Sequence, residues 1–137
     1  SKLRKRAMAL LQEETSLLEV VRLVGRDTLS DEDQVKLNST KSIREDFLQQ
    51  NAFHDVDTFC PLEKQFKMLD TILYFYYKSQ ESLEKGVYFS EIEELDVKED
   101  IARMKYVPND ELEKIDAIKE KIDSQLKKLE EVGDVDA

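Results

Sequence analysis

Residues 62–86 read LEKQFKMLDTILYFYYKSQESLEKG and carry the strongest structural signal in the chain. Their apolar side chains recur every three or four positions, which is typical of a helix that buries one face. This stripe comprises Leu62, Phe66, Leu69, Ile72, Leu73 and Tyr76. Pro61 suits the start of the helix, because the first turn does not use the N–H that proline lacks. Gly86 is expected to end it, since glycine tolerates the left-handed conformation found at many helix ends.

Two helices are predicted before this stretch. The first extends from Leu3 to Val24 and should end at Gly25. Its apolar face comprises Leu3, Ala7, Leu10, Leu11, Leu17, Leu18, Val21 and Val24. The second helix begins at Ser30 as N-cap, with an acidic residue three positions on as in a capping box, and extends to about Gln49. Its middle, residues 36–42, is polar, so we expect this helix to be partly exposed or to face something outside the chain.

Two short helices are predicted after Gly86. Ser90 and Glu93 match a capping box and open the first of them. The second covers residues 98–105 and should end before Pro108, because a proline disfavours helical backbone in the residue before it. The apolar residues that these helices present are Ile92, Leu95, Ile101 and Met104.

The last predicted helix begins at Asp110 as N-cap, with Glu113 in the reciprocal position. Its apolar residues are Leu112, Ile115, Ile118, Ile122, Leu126, Leu129 and Val132. About three heptads are marginal for a free coiled coil, so we expect this helix to lie against the bundle. Nothing in the sequence is expected to hold residues 133–137 against the bundle, so this tail is expected to fray.

Composition agrees with an all-α fold. Charged residues make up 38% of the 137, and three glycines and two prolines interrupt the chain. We therefore predict a single domain over residues 1–132, a bundle of about five or six helices, followed by a frayed tail, residues 133–137. The chain starts in helical register without an initiator Met, so we interpret it as a piece of a longer protein.

The charge of the chain restricts its partners. A net charge of −10 argues against binding a nucleic-acid backbone or an anionic membrane surface.

The longest apolar run, Ile72 to Tyr77, is far shorter than a membrane span requires, and no signal peptide is visible. A single cysteine, Cys60, excludes an internal disulfide and fits a reducing compartment.

One stretch is not explained by burial. Residues 42–62, SIREDFLQQNAFHDVDTFCPL, lose the helical period between Asn51 and Cys60. The potential metal ligands there are His54, Asp55, Asp57 and Cys60, and they do not match a recognised zinc spacing. The chain has no GxxxxGK[ST] phosphate loop and no complete catalytic set, so we predict neither a metal site nor catalytic residues within it.

Four longer motifs stand in one order: LLQEETSLLEVVRLVG at 10–25, DTLSDED at 27–33, SIREDFLQQNAF at 42–53 and VDTFCPLEKQ at 56–65. In this order and spacing, roughly the first 105 residues resemble the C-terminal helical domain of the catalytic A subunit of archaeal and vacuolar-type rotary ATPases. Beyond Pro108 the likeness thins to a generic amphipathic helix.

The resemblance implies that the acidic motif contacts the central stalk. The contact residues would be Asp27, Leu29, Ser30, Asp31, Glu32 and Asp33. They match the helix–turn–helix tip that reads DELSEED in the related F-type β subunit, with Thr28 and Asp31 as departures from it. A second interpretation stays open, because acidic residues in the first turn of a helix are also favoured by the helix dipole.

The resemblance further implies that Gln50, Asn51, Ala52 and Phe53 wall the adenine ring of a bound nucleotide. Phe53 would offer a stacking face, and the amides would meet ring nitrogens. The alternative is that Phe53 belongs to the core and that the amides cap a helix. The phosphate loop and magnesium site would lie elsewhere on the subunit, so no cofactor is expected on this chain, and Mg-ATP or ADP is expected in the whole subunit.

The implied enzyme is an ATPase or ATP synthase that couples to proton or sodium translocation, with this chain silent by itself. Its partners would be B subunits in a hexameric ring and the central-stalk subunits, on the cytoplasmic face of a membrane and without membrane insertion. Two alternatives remain. One is a free-standing helical adaptor without nucleotide chemistry, and the other is intrinsic ATP hydrolysis by this chain.

Overall fold

A computed structural model describes residues 1–48 and 61–136, the last four of them by their backbone alone. This part of the chain contains six α-helices and no β-strand, which confirms the all-α prediction. The helices are α1 (Lys2–Val24), α2 (Asp31–Ser42), α3 (Leu62–Glu84), α4 (Phe89–Glu93), α5 (Val97–Arg103) and α6 (Glu113–Asp136). Shorter helical turns cover Arg26–Thr28, Ile43–Leu48 and Met104–Tyr106, the middle one π-helical. None of the described helices combines the length and apolar character needed to cross a bilayer.

The core is built around α3. Met68, Ile72 and Leu73 on this helix are almost completely buried. They belong to one hydrophobic cluster with Ile115 and Ile122 of α6. Helix α6 packs along α3, which confirms the prediction that it lies against the bundle. The same cluster takes in residues of all six helices, so the bundle has one core rather than several.

Polar contacts fix the register between α3 and α6. Lys67 pairs with Asp116 at 2.8 Å, Lys119 pairs with Asp70, and the Tyr74 hydroxyl donates to Asp123 at 2.6 Å. Each pair is separated by 49 residues in sequence, so the two helices run parallel. Burial and the hydrogen bond to Asp123 raise the pKa of Tyr74 to about 12, which keeps this hydroxyl a donor at physiological pH.

The polar middle of α2 is partly exposed, as predicted, because Lys41 is exposed and Lys36, Asn38 and Ser42 are half-buried. Leu37, Ser39 and Thr40 are all buried. Thr40 donates to the carboxylate of Glu14 on α1, which also accepts hydrogen bonds from Arg44. Thr40 is therefore buried with a partner that α1 supplies, whereas the Ser39 hydroxyl donates to the Val35 carbonyl of its own helix.

Three details of the sequence analysis need correction. The first short helix begins at Phe89, and its capping contact joins the Tyr88 N–H to Glu91 rather than Ser90 to Glu93. The last helix begins at Glu113 instead of following an N-cap at Asp110. Two members of the α3 stripe, Leu62 and Phe66, are exposed, because they lie at the end of the helix beyond the core.

Other predicted ends are confirmed. Helix α1 ends at Gly25, Ser30 caps α2, and Gly86 follows the end of α3 with a positive φ. Pro61 is the N-cap of α3 rather than its first helical residue. The backbone of α6 continues to Asp136, and the proposed domain boundary at 132 stays a prediction.

Candidate functional site

The predicted stalk-contact residues lie in a tight reversal between α1 and α2, which we call the tip (residues 26–33). Gly25 has φ 92° and ψ 156°, a backbone conformation that glycine adopts readily and other residues avoid. The Thr28 hydroxyl donates to the Gly25 carbonyl at 2.8 Å, and the Leu29 N–H donates to the Arg26 carbonyl at 3.1 Å. These bonds close a 3-10 turn, so the reversal is short and internally braced.

Helix α2 then starts with a satisfied cap. The Ser30 hydroxyl accepts from the Asp33 N–H at 3.1 Å, as the sequence predicted. Asp31, Glu32 and Asp33 occupy the first turn, where the helix dipole favours negative charge. The capping interpretation of the acidic motif is therefore consistent with the structure, and it does not exclude a role for the outward-facing carboxylates.

The six residues predicted to contact the stalk do not share one environment. Asp27, Ser30 and Glu32 are exposed, whereas Leu29 is buried and Asp31 and Asp33 are half-buried. A carboxylate oxygen of Asp31 accepts from the Phe89 N–H at 2.9 Å, so this side chain tethers the tip to α4. Asp27 and Glu32 are thus the most exposed carboxylates on the tip, beside the exposed Arg26.

An apolar surface lies next to the tip, at the end of the predicted apolar face of α1. No side chain in residues 15–24 of α1, which we call the α1 arm, is buried. Leu23 and Val24 are 67% and 59% exposed, and Leu18 and Val20 are exposed beside them. The predicted apolar face of α1 is therefore covered only in part, since Leu18 and Val24 are exposed. Helical spacing identifies an apolar face but does not say whether anything in the same chain covers it.

The other end of α1 lies beside an apolar groove of about 260 Å³. Its lining includes Leu3 of α1, Phe47 of the π-helical turn, and Leu62 and Phe66 of α3. Residues on both sides of the 49–60 segment therefore meet at one place. The predicted adenine-contact residues Gln50, Asn51, Ala52 and Phe53 lie outside the described residues, as do His54, Asp55, Asp57 and Cys60.

Ionic contacts fix the chain around this groove. The buried ammonium of Lys64 donates to the carbonyls of Lys105 and Val107, both at 2.8 Å. Lys105 in turn lies 3.6 Å from the carboxylate of Asp46 on the π-helical turn. Burial raises the pKa of Asp46, against the opposing attraction of Lys105. The start of α3 and the π-helical turn are thus both tied to the segment that follows α5.

The tip and the groove lie at opposite ends of one helix. Helix α1 has 23 residues, and at about 1.5 Å per residue its two ends are separated by about 35 Å. The geometry is that of a rigid rod with an apolar groove at one end and an acidic, partly apolar surface at the other.

Comparison with known proteins shows the family of this chain. Residues 1–93 match the model of a family described as the C-terminal domain of V and A type ATP synthase. The chain belongs to this family. That membership confirms the resemblance drawn from the four motifs.

Relatives extend the similarity through the last helix. The V-type ATP synthase alpha chain of Clostridium botulinum is 58% identical over 116 residues, which are 85% of this chain and 20% of the relative. The corresponding A-type ATP synthase chain of Methanopyrus kandleri is 54% identical over 128 residues, 93% of this chain and 22% of the relative. A Thermoanaerobacter V-type ATP synthase alpha chain is 54% identical over 135 residues, 98% of this chain and 23% of the relative. The family model ends at residue 93, and these identities are averages over each alignment, so the prediction that the likeness thins beyond Pro108 stays a prediction.

The chain spans about a fifth of the length of these relatives. The family and these relatives together place the chain among the C-terminal domains of V and A type ATP synthases. At one end of this domain, the tip and the α1 arm place exposed carboxylates beside exposed apolar side chains.

Proposed function

We propose that this domain transmits force between the central stalk of a rotary ATPase and the nucleotide-binding part of its own subunit. The observation that carries the proposal is the α1 arm. Ten residues of regular helix extend without a buried side chain and end in a braced turn with two exposed carboxylates, Asp27 and Glu32. Leu17 and Val21 of the arm are half-buried, but its last three residues, 22–24, are all exposed, and side chains so placed suit contact with another molecule.

The two kinds of surface at this end have different roles in the proposed contact. Exposed carboxylates steer a basic partner and set its register, while contributing little affinity through individual ion pairs. Leu23 and Val24 supply apolar area that a partner can bury, and the stiff helix beneath them passes on steric force. Most of the force is thus proposed to travel through packing contact rather than through ion pairs.

We further propose that Gln50, Asn51, Ala52 and Phe53 form part of the adenine pocket. The support for this is the family motif SIREDFLQQNAF and the position of its flanks. Phe47 and Leu62 stand on either side of the segment and line one groove at the end of α1 remote from the tip. Nucleotide contact at that end would be connected to the tip through α1 and α2.

In the whole subunit, the proposed activity is hydrolysis or synthesis of ATP coupled to proton or sodium translocation. Mg-ATP or ADP would be bound mainly by residues outside this chain. The proposed partners are B subunits of a hexameric ring and the central-stalk subunits, in a complex on the cytoplasmic face of a membrane. This chain alone is proposed to be without catalytic activity.

The test uses the complete rotary complex with two charges removed from the tip, Asp27→Asn with Glu32→Gln, and separately with Leu23→Ser and Val24→Ser. All four side chains are exposed, so the fold should be retained. We expect the ratio of ions transported to ATP hydrolysed to fall in both variants, more steeply in the apolar one. A matched control, Glu113→Gln with Glu120→Gln, removes two exposed charges from α6. Unchanged coupling in both tip variants would refute the proposed contact.

A separate measurement addresses the nucleotide. Calorimetric titration of ATP into the 137-residue chain should give negligible heat, because the groups that bind phosphate are proposed to lie elsewhere. Binding in the low micromolar range would contradict the idea that this chain contributes a partial pocket.

A further inference from the structure

A small cavity of about 30 Å³ lies where α2, α3, α4 and α5 meet. Apolar side chains such as Ile72 and Phe89 form much of its wall. The polar residues that line it are Asn38, Ser39, Ser42, Ser79 and Lys98. A cavity with this mixed lining differs from an apolar packing defect, because it offers hydrogen-bonding groups on three helices.

Ser79 is the unusual member of this lining. Its side chain is completely buried, and its hydroxyl oxygen has no hydrogen-bond partner among the described residues. Buried hydroxyls elsewhere in the bundle bond to the carbonyl one turn earlier. Ser39 donates to the Val35 carbonyl at 3.0 Å, and Thr71 donates to the Lys67 carbonyl at 2.7 Å. Ser79 makes no such bond within its own helix, so its hydroxyl is available to the cavity.

Two other groups on the lining can take part in hydrogen bonds. The Ser39 hydroxyl already donates to its own helix, which leaves its oxygen lone pairs free to accept. Lys98 is half-buried and forms no ion pair among residues 1–48 and 61–136. Burial lowers its pKa, as expected for an ammonium that is partly withdrawn from solvent.

The volume of the cavity limits the size of the molecule that it can hold. A bound water needs roughly 10–15 Å³ of such volume and two to four polar partners. The cavity therefore accommodates about two water molecules and is too small for an organic ligand. A buried hydroxyl without any partner is also costly, and a water molecule removes that cost.

We propose that this cavity is an internal hydration site, in which one or two water molecules bridge Ser79 on α3 to polar side chains on α2 and α5. The site joins the helix that carries the tip to the central helix of the core. That connection adds exchangeable hydrogen bonds to the apolar packing between the two helices. It is independent of the proposed function, since it depends on the cavity and the Ser79 hydroxyl alone.

Crystals of the 137-residue chain that diffract beyond about 1.5 Å would test this directly. We expect ordered water density within hydrogen-bonding distance of the Ser79 oxygen. Other crystals of the same chain are exposed separately, some to xenon under pressure and some to bromide. Xenon in the cavity would identify it as dry and apolar, and an anomalous bromide peak beside Lys98 would identify an anion site. Either result would overturn the proposal, as would absence of density.

A substitution gives a second, solution-based test. If water satisfies the Ser79 hydroxyl, Ser79→Ala should leave the Tm unchanged or lower it. If the hydroxyl is unpaired, removing it should raise the Tm by about 4 °C, and that rise would contradict the proposal. Ser39→Ala is the matched control, because it removes a buried hydroxyl whose hydrogen bond is made within its own helix.

Discussion

The hydroxyl of Thr40 on α2 donates a 2.6 Å hydrogen bond to the carboxylate of Glu14 on α1. Arg44 donates to the same carboxylate from the start of the π-helical turn, at 2.8 Å. Burial alone would raise the pKa of Glu14, but the hydrogen bonds from Arg44 and Thr40 outweigh it and hold the pKa below its ordinary value. Helices α1 and α2 are therefore joined through a carboxylate that is favoured in its ionised form.

Replacing Glu14 with Gln should destabilise the fold by about 2 kcal/mol at pH 7. The substitution removes a buried negative charge that accepts from two donors on α2 and the turn after it. Urea denaturation followed by circular dichroism measures the effect. The matched control is the neighbouring Glu13→Gln. Glu13 pairs with Lys36 but its side chain is 53% exposed, so the loss should be below about 0.5 kcal/mol. Equal losses for the two variants would argue against a special role for Glu14.

The stability lost in Glu14→Gln should also depend on pH. Because the folded state lowers the pKa of Glu14, the carboxylate contributes its full stability above the ordinary value of 4.5. That contribution is lost as the pH falls through the lowered pKa of the folded state. Urea midpoints of the two proteins should thus converge at acidic pH. A constant gap down to about pH 2 would show that the effect is not one of charge.

Asp46→Asn should behave in the opposite way. Burial raises the pKa of Asp46 despite the nearby Lys105, so the folded state binds this proton more tightly than the unfolded state does. The ionised carboxylate therefore costs stability at neutral pH, and the Asn variant should have the higher urea midpoint at pH 7. The gap should close as the pH falls through the raised pKa of the folded state. A lower midpoint for the variant at pH 7 would mean that the Lys105 pair outweighs burial.

Two carboxylates of the tip should differ in their effect on stability. Asp31 accepts from the Phe89 N–H at 2.9 Å, so Asp31→Ala should cost about 1 kcal/mol. Asp27→Ala, at an exposed position, should change the free energy of unfolding by less than about 0.5 kcal/mol. Thermal unfolding of the two variants makes the comparison, and Asp31→Asn, which retains an acceptor oxygen, should recover part of the loss. Identical behaviour of Asp27 and Asp31 would contradict the tether to α4.

Gly25→Ala should destabilise the chain by about 1–3 kcal/mol, because φ 92° with ψ 156° is strained for an L-residue. An added Cβ would meet no atom within 4 Å, so the loss would come from the backbone and not from a clash. Thermal unfolding measures it. D-Alanine at the same position, introduced by peptide ligation, is the stereochemical control and should be tolerated. A full loss with D-alanine would point to sterics instead.

The sequence predicted the helices well, because helix positions depend on local spacing. Apolar stripes located α1, α3 and α6, and Ser30 and Gly86 were recognised at their ends because capping and positive φ are properties of short segments. The errors at Ser90 and Asp110 also arise because caps are predicted from short segments alone. Several polar residues near a helix start can serve as its cap, and the packing of the following turn selects among them.

Burial was harder to predict, since it depends on what lies across the bundle. The polar run in α2 gave no sign that Thr40 would be buried, because its partner Glu14 is 26 residues away. The reverse holds for Leu23 and Val24, which look like core residues and are exposed. Of the candidate site, the sequence located the tip but could not distinguish the tethering Asp31 from the exposed Asp27.

The α1 arm has a consequence for how this domain could be altered. Eight of residues 15–24 are exposed, so within the arm the bundle restricts mainly the half-buried Leu17 and Val21. Segments from other rotary ATPases that keep these two residues could therefore be grafted at this position with little effect on the melting temperature of the domain. Such chimaeras would vary the contact between this domain and the central stalk of another rotary ATPase, while the rest of the domain stays constant.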